Sequence, residues 1–97
     1  MTLRAQTRRG ERLLPGRGTL MARAVASGLP VASSCSGRGA CARCLVAVME
    51  GAEALQAASE HEAEVLHRNG AAAGTRLACQ TRIDDESRAV VITTGYW

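Results

Sequence analysis

The sequence predicts an α+β fold in which a sheet packs around one main helix. Apolar segments of strand length lie in residues 1–14, 45–49 and 89–92, and segments with helix-capping signals separate them. Three of the four cysteines fall within ten residues of one another, in a loop that contains glycine. Because the chain has 97 residues, we expect a single domain over residues 1–97.

The N-terminal part of the chain predicts a hairpin followed by a helix. Residues 1–14 alternate between apolar and polar side chains up to a break at Arg9-Gly10, which indicates a hairpin. Thr19 is a suitable N-cap for a helix that runs to about Ser27, and Gly28 is suited to end it. The apolar residues of this helix fall on one face and predict packing on the sheet. They are Leu20, Met21, Ala24 and Val25.

The C-terminal part predicts a second helix between two strands. The continuous apolar run at residues 45–49 indicates a strand that is covered on both faces. Ser59 and Glu62 have the spacing of a capping box, which predicts a helix that ends near Asn69-Gly70. The last strand is predicted at residues 89–92. The predicted order is therefore β-β-α-β-α-β.

Charge is distributed unevenly along the chain. The formal net charge is +3, but residues 1–48 carry a net charge of +7 and residues 49–97 a net charge of −4. Such a separation orients docking to a charged partner, and an ordinary solvated surface is the alternative interpretation. The arginines near the cysteine loop would suit an acidic partner, and the acidic residues would suit a basic one. The acidic set comprises Glu60, Glu62, Glu64, Asp84, Asp85 and Glu86.

The N-terminal residues lack the apolar core of a signal peptide, and no apolar run approaches the length of a membrane span. We therefore expect a cytoplasmic protein without a membrane partner. We also expect a monomer that does not bind nucleic acid. Thiols stay reduced in the cytosol. The four cysteines are therefore expected to bind metal and not to form two disulfides.

The spacing of the cysteines predicts a metal centre. Cys35, Cys41 and Cys44 form a C-x5-C-x2-C pattern, and Cys79 follows after 34 intervening residues. Thiolates are the ligands of iron–sulfur clusters. The glycines between the first two cysteines allow the backbone to turn its N–H groups toward such a cluster. Structural zinc is the alternative, although its sites usually combine two cysteine pairs, or cysteine with histidine.

The histidines do not predict a catalytic site. His61 and Glu62 begin a zinc-protease pattern, but Val65 occupies the position of its second histidine. His61 and His67 are therefore interpreted as surface residues of the second helix. A single nucleophilic cysteine would not explain a set of four. The histidines and cysteines therefore do not indicate an enzyme.

Two segments, from Cys35 to Val46 (CSGRGACARCLV) and from Arg76 to Gln80 (RLACQ), resemble the [2Fe–2S] ferredoxins of β-grasp fold. The resemblance extends over nearly the whole chain. The five-residue spacing is closer to adrenodoxin-like proteins, and to the ferredoxin domains of flavin reductases and some bacterial nucleotide cyclases, than to plant-type ferredoxins. The resemblance implies a β-grasp ferredoxin-type mixed sheet with one main packed helix and a cluster-binding loop.

The resemblance also implies a cofactor and a function. The cofactor is a [2Fe–2S] cluster, with Cys35, Cys41, Cys44 and Cys79 as its ligands. The function is that of a soluble one-electron carrier between a reductase and an acceptor oxidoreductase. A redox-sensing module that regulates a partner protein in trans is the alternative, because the resemblance includes domains attached to cyclases.

Overall fold

The structure is a computed structural model that describes residues 3–31, 44–95 and 97. These residues form a five-stranded sheet, two α-helices and a short 3-10 helix at Ala52–Ala54. The strands and helices, in chain order, are β1 (Leu3–Thr7), β2 (Gly10–Leu13), α1 (Leu20–Ala26), β3 (Leu45–Glu50), α2 (Glu60–Arg68), β4 (Thr75–Leu77) and β5 (Val90–Thr93).

The sheet has the strand order β2-β1-β5-β3-β4. Strands β1 and β5 pair in parallel, and the other three pairs are antiparallel. The predicted mixed sheet is therefore confirmed. Because of these directions, β3 begins at the end of the sheet where β1, β4 and β5 finish. We call this the cysteine end of the sheet; it is marked by Thr7, Leu45, Leu77 and Thr93.

Helix α1 begins where the sequence predicted, but its buried face differs. The Thr19 hydroxyl accepts a hydrogen bond from the Ala22 N–H at 3.1 Å, as expected of an N-cap. Leu20 and Ala24 are buried, whereas Val25 is 53% exposed, so its assignment to the packed face was wrong. The third buried position is Arg23.

Arg23 can be buried because its guanidinium has polar partners. Its Nε and Nη2 atoms donate to the backbone oxygen of Leu14 at 3.1 and 2.9 Å, and Nη1 lies 3.3 Å from Glu86 Oε2. A buried cation is tolerated when it is paired and hydrogen-bonded. Positions 20, 23 and 24 therefore form the inward stripe of this helix.

Strand β3 is covered less completely than its apolar sequence predicts. Val46 is buried, but Met49 is 55% exposed, so the prediction of a strand covered on both faces is wrong at this end. In addition, β4 pairs only with residues 45–47, and the pairing with β5 shifts register between Val48 and Glu50. The last residues of β3 therefore extend past one of their two neighbours.

Helix α2 begins and ends where the sequence predicted, but only half of the predicted capping box forms, because the Glu62 carboxylate bonds instead to Arg76, Leu77 and Thr81. The Ser59 hydroxyl accepts a hydrogen bond from the Glu62 N–H at 3.1 Å, and the helix ends at Arg68 before Asn69. His61 and His67 are exposed, as predicted. Strand β4 and the 3-10 helix were not predicted, because three-residue elements are too short to show periodicity. In the described part of the chain, no helix is long and apolar enough to cross a membrane.

Gly51 joins β3 to the 3-10 helix at a point of close backbone approach. Its φ is +80°, and a Cβ added there would overlap the backbone oxygen of Ala89. Gly74, with a φ of +85°, has only an ordinary contact at the same position. The two glycines share a left-handed backbone but differ in the space around them.

We therefore predict that Gly51→Ala destabilises the fold more than Gly74→Ala. A left-handed alanine costs about 1–2 kcal/mol at either site, and the forced backbone shift adds about 1–3 kcal/mol at Gly51. Urea unfolding of both variants and the parent measures this difference. Equal losses of unfolding free energy would show that Ala89 does not restrict position 51.

Candidate metal centre

Two of the four candidate cysteines lie among the described residues, and the fold brings them together. The Sγ atoms of Cys44 and Cys79 are 3.1 Å apart, and both residues are buried. A disulfide would place them about 2.05 Å apart, so the two sulfurs are not bonded to each other. The other predicted ligands, Cys35 and Cys41, lie outside the described residues.

The pairing of β3 with β4 positions this cysteine pair. Cys44 directly precedes β3, and Cys79 follows β4 by two residues. Leu45 lies opposite Leu77 in the antiparallel ladder, and the Ala78 N–H donates to the Cys44 backbone oxygen at 2.9 Å. The ladder therefore continues to the cysteines and joins residues that are 35 positions apart in sequence.

Helix α1 holds the turn that carries Cys79. The first N–H groups of a helix have no partner within the helix. Here the Leu20 N–H donates to Thr81 O at 2.9 Å, and the Met21 N–H donates to Ala78 O at 3.0 Å. The turn on either side of Cys79 is thus anchored to the start of α1.

Beneath the same turn lies the buried carboxylate of Glu62, which is 1% exposed. Arg76 donates to it from Nε at 2.7 Å and from Nη2 at 3.0 Å, which makes a bidentate ion pair. The Leu77 N–H donates to Oε2 at 3.1 Å. The Thr81 hydroxyl lies 3.3 Å from Oε2 and 2.8 Å from Leu77 O, so it bridges the two oxygens. The network ties α2 to both ends of the segment that contains Cys79.

The environment of Glu62 lowers its pKa. Burial alone would raise the pKa, but the hydrogen bonds from Arg76 and Leu77, the Arg76 charge and the Thr81 hydroxyl together hold the pKa below its usual value of 4.5. The carboxylate is therefore ionised and fully engaged inside the protein. Its assignment to an acidic docking surface was wrong, because the charge does not face solvent.

Gln80 is a contact that sequence reasoning did not assign to the site. Its Nε2 atom lies 3.8 Å from Cys79 Sγ, within the range of an N–H···S hydrogen bond. Its position directly after a candidate ligand was the available signal. Hydrogen bonds to ligand sulfur stabilise added negative charge and so influence a reduction potential.

Trp97 secures the chain where it approaches the cysteine loop. It is 8% exposed, and its Nε1–H donates to the Pro30 backbone oxygen at 2.7 Å. Its backbone N–H also reaches Thr94 O at 3.4 Å. The indole therefore packs against the fold and connects the residues after β5 to the segment after α1.

The geometry of the cysteine pair fits two ligands of one metal. With metal–sulfur bonds of about 2.3 Å and a tetrahedral angle, two thiolates lie about 3.7 Å apart. The Sγ atoms of Cys44 and Cys79 are 3.1 Å apart. They would need to move apart by only about 0.6 Å to bind one metal ion together. Within residues 3–31, 44–95 and 97, no group of three or more His, Cys, Asp or Glu side chains is placed to hold a metal ion.

Residues 8–84 match the family model described as the 2Fe-2S iron-sulfur cluster binding domain. The match covers more than half of the chain, so this chain belongs to the [2Fe–2S] ferredoxin family. Ferredoxins of this family are electron-transfer proteins and not enzymes, and their cofactor is a [2Fe–2S] cluster.

Two curated relatives show how much sequence is shared. The 2Fe-2S ferredoxin of Escherichia coli strain K12 is 33% identical over 75 residues, which cover 76% of this chain and 68% of that protein. Chlorosome protein J of Chlorobaculum tepidum is 42% identical over 59 residues, which cover 61% of this chain and 26% of that protein. The chain thus matches about two thirds of one relative and about a quarter of the other.

Solved structures confirm the β-grasp ferredoxin-type fold. The ISC-like [2Fe-2S] ferredoxin FdxB of Pseudomonas putida has a TM-score of 0.81 at 22% identity, with 100% of this chain and 94% of that chain covered. A chain of the covalent putidaredoxin reductase–putidaredoxin complex has a TM-score of 0.72 at 28% identity, with 94% of each chain covered. The predicted fold class is therefore correct.

We predict that Glu62→Gln destabilises the protein by about 3 kcal/mol at neutral pH, because it breaks a buried ion pair. The loss should shrink on acidification. A carboxylate with a lowered pKa contributes stability above its ordinary value of 4.5, and this contribution disappears as the pH falls through the lowered pKa. Urea unfolding from neutral to acidic pH measures both effects.

The matched control is Glu64→Gln on the same helix, whose exposed ion pair with Arg68 has a 3.9 Å separation. Its effect should stay below about 0.5 kcal/mol. If the two variants lose equal stability, the buried network does not support the turn.

Proposed function

We propose that this chain is a one-electron carrier that passes electrons between a reductase and an acceptor oxidoreductase. In this proposal Cys35, Cys41, Cys44 and Cys79 hold its [2Fe–2S] cluster. The observation that carries the proposal is the buried pair of Cys44 and Cys79 sulfurs, 3.1 Å apart at the cysteine end of the sheet. When bound, the cluster takes up and releases one electron.

The described residues would hold two ligands of this centre in fixed positions. The β3–β4 ladder fixes the backbone of Cys44, and the first turn of α1 fixes the backbone around Cys79. Both cysteines are buried, so the protein shields their sulfurs from water. Two ligands held in this way need little rearrangement when the charge of the centre changes, which favours repeated electron transfer.

A reductase as electron donor is supported by one structural relative. The covalent complex named above contains a reductase bound to putidaredoxin, and the match to it covers 94% of this chain at 28% identity. The same geometry would serve a redox sensor if reduction altered binding to a partner. A carrier would turn over repeatedly with its partners, whereas a sensor would form a stable complex in only one oxidation state.

We predict that the anaerobically purified protein contains iron and acid-labile sulfide in equal amounts, about two of each per chain. The dithionite-reduced protein should give an electron paramagnetic resonance signal. Cys79→Ser and Cys44→Ser should each lower the iron content and weaken this signal, because each removes a proposed thiolate ligand. Val25→Ser, an exposed change on α1, is the control and should retain both.

Retention of full iron and sulfide in Cys79→Ser would contradict the proposed ligand set. Zinc in place of iron in protein from its native host would contradict the proposed function. A stable complex with a partner in only one oxidation state, without multiple turnover, would favour the sensor.

We predict that Gln80→Leu makes the reduction potential more negative. In the parent protein the N–H···S bond stabilises the reduced form, and the variant lacks this bond. Loss of a bond worth about 1 kcal/mol lowers a one-electron reduction potential by roughly 40 mV. Gln56→Leu, at an exposed glutamine, is the control and should leave the potential unchanged. A redox titration followed by visible absorption measures both. An unchanged or more positive potential in Gln80→Leu would show that the side-chain amide does not influence the centre.

A further inference from the structure

We infer that the hairpin of β1 and β2 is a docking surface for an acidic face of a redox partner protein. This surface, the basic hairpin, is defined by the exposed residues Arg8, Arg9 and Arg12. The inference rests on the proposed carrier function and adds to it the location and the charge of the partner contact.

The strand directions place the turn of the basic hairpin at the cysteine end of the sheet. Strand β1 ends at Thr7 and runs parallel to β5 and therefore antiparallel to β3, which begins beside Cys44. One strand, β5, separates β1 from β3. Neighbouring strands lie about 4.8 Å apart, so the two strands are roughly 10 Å apart. A partner bound at the turn would thus reach the end of the sheet that carries the proposed electron site.

The basic hairpin is not neutralised by the protein itself. All nine acidic residues of the sequence fall within the described residues. Among the ion pairs of these residues, none involves Arg8, Arg9 or Arg12; the only hairpin pair joins Arg4 and Glu11 at 3.4 Å. Residues 8–12 also include Glu11, but its carboxylate pairs with Arg4, so the hairpin at residues 3–13 keeps a net charge of +3 from four arginines and one glutamate.

At the opposite end of the sheet, one exposed arginine is compensated by acidic residues. Arg88, which precedes β5, lies 3.1 Å from Glu53 and 3.5 Å from Asp85. Exposed charges that are paired in this way produce little field at a distance. Arg88 therefore differs from the arginines of the basic hairpin, which take part in none of the ion pairs of the described residues.

The surface beside the turn has two open cavities that combine arginine with apolar side chains. One, of about 400 Å³, is bordered by Arg9, Arg12 and Leu29 and also by Glu11, whose carboxylate pairs with Arg4. The other, of about 350 Å³, is bordered by Arg8 and by Met49, which is 55% exposed. Arginine in a partly apolar recess suits a carboxylate on a short side chain. The shape and charge therefore favour an acidic protein surface.

A charge-matched pair of variants tests the inference. Arg8→Gln with Arg9→Gln removes two positive charges from the basic hairpin, and Arg68→Gln with Arg88→Gln removes two elsewhere. The dithionite-reduced holoprotein is mixed with hexacyanoferrate(III), an anion, or with hexaamminecobalt(III), a cation, in stopped flow. In each reaction one electron leaves the reduced cluster and reduces the metal complex. The absorbance change gives the second-order rate constant.

At low ionic strength the hairpin variant should react about fivefold more slowly with hexacyanoferrate(III) than the parent protein does. The control variant should change by less than about twofold. High salt should remove the difference, and hexaamminecobalt(III) should react no more slowly with the hairpin variant. Equal effects of the two variants would overturn the inference. A holoprotein that transfers no electron to either oxidant would instead contradict the proposed function.

Direct binding identifies the class of partner. Fluorescence anisotropy compares labelled oligoglutamate with labelled oligothymidylate of equal charge. We expect salt-sensitive binding of oligoglutamate that weakens about fivefold in the hairpin variant and less than about twofold in the control. Binding of oligothymidylate alone would indicate a nucleic-acid surface and overturn the inference. Absence of binding to both would overturn it as well.

Discussion

The cysteine site depends on one buried carboxylate. Glu62 lies on α2, yet its oxygens accept hydrogen bonds from Arg76, Leu77 and Thr81, on both sides of Cys79. An unpaired charge in this position would cost several kcal/mol. The protein therefore maintains this set of contacts, and the contacts in turn define the path of the chain past Cys79.

Strand pairing provides the second constraint. Because β5 lies between β1 and β3, residues from both ends of the chain pair at the centre of the sheet. The antiparallel pairing of β3 with β4 then brings Cys44 beside Cys79. Backbone hydrogen bonds between the strands therefore position the two cysteines together with the side-chain network of Glu62.

The count of charges along the sequence does not show which charges face solvent in the fold. Counted along the chain, Glu62 and Arg23 belong to the acidic and basic halves, but both are buried and paired. Glu53 and Asp85 share Arg88. Among the described residues, the arginines at the turn of the hairpin take part in none of these ion pairs.

The sequence by itself determined the features that depend on neighbouring residues. Caps at Thr19 and Ser59 placed both helices, and the cysteine spacing indicated the class of cofactor. Only the tertiary structure decided which charges are buried, because the partners of Arg23 and Glu62 are up to 63 residues distant. It also decided that β4 exists, since three residues acquire a strand conformation only by pairing with β3. Sequence signals such as helix caps reflect hydrogen bonds between residues close in sequence. Burial and strand pairing depend on residues that only the folded chain brings together.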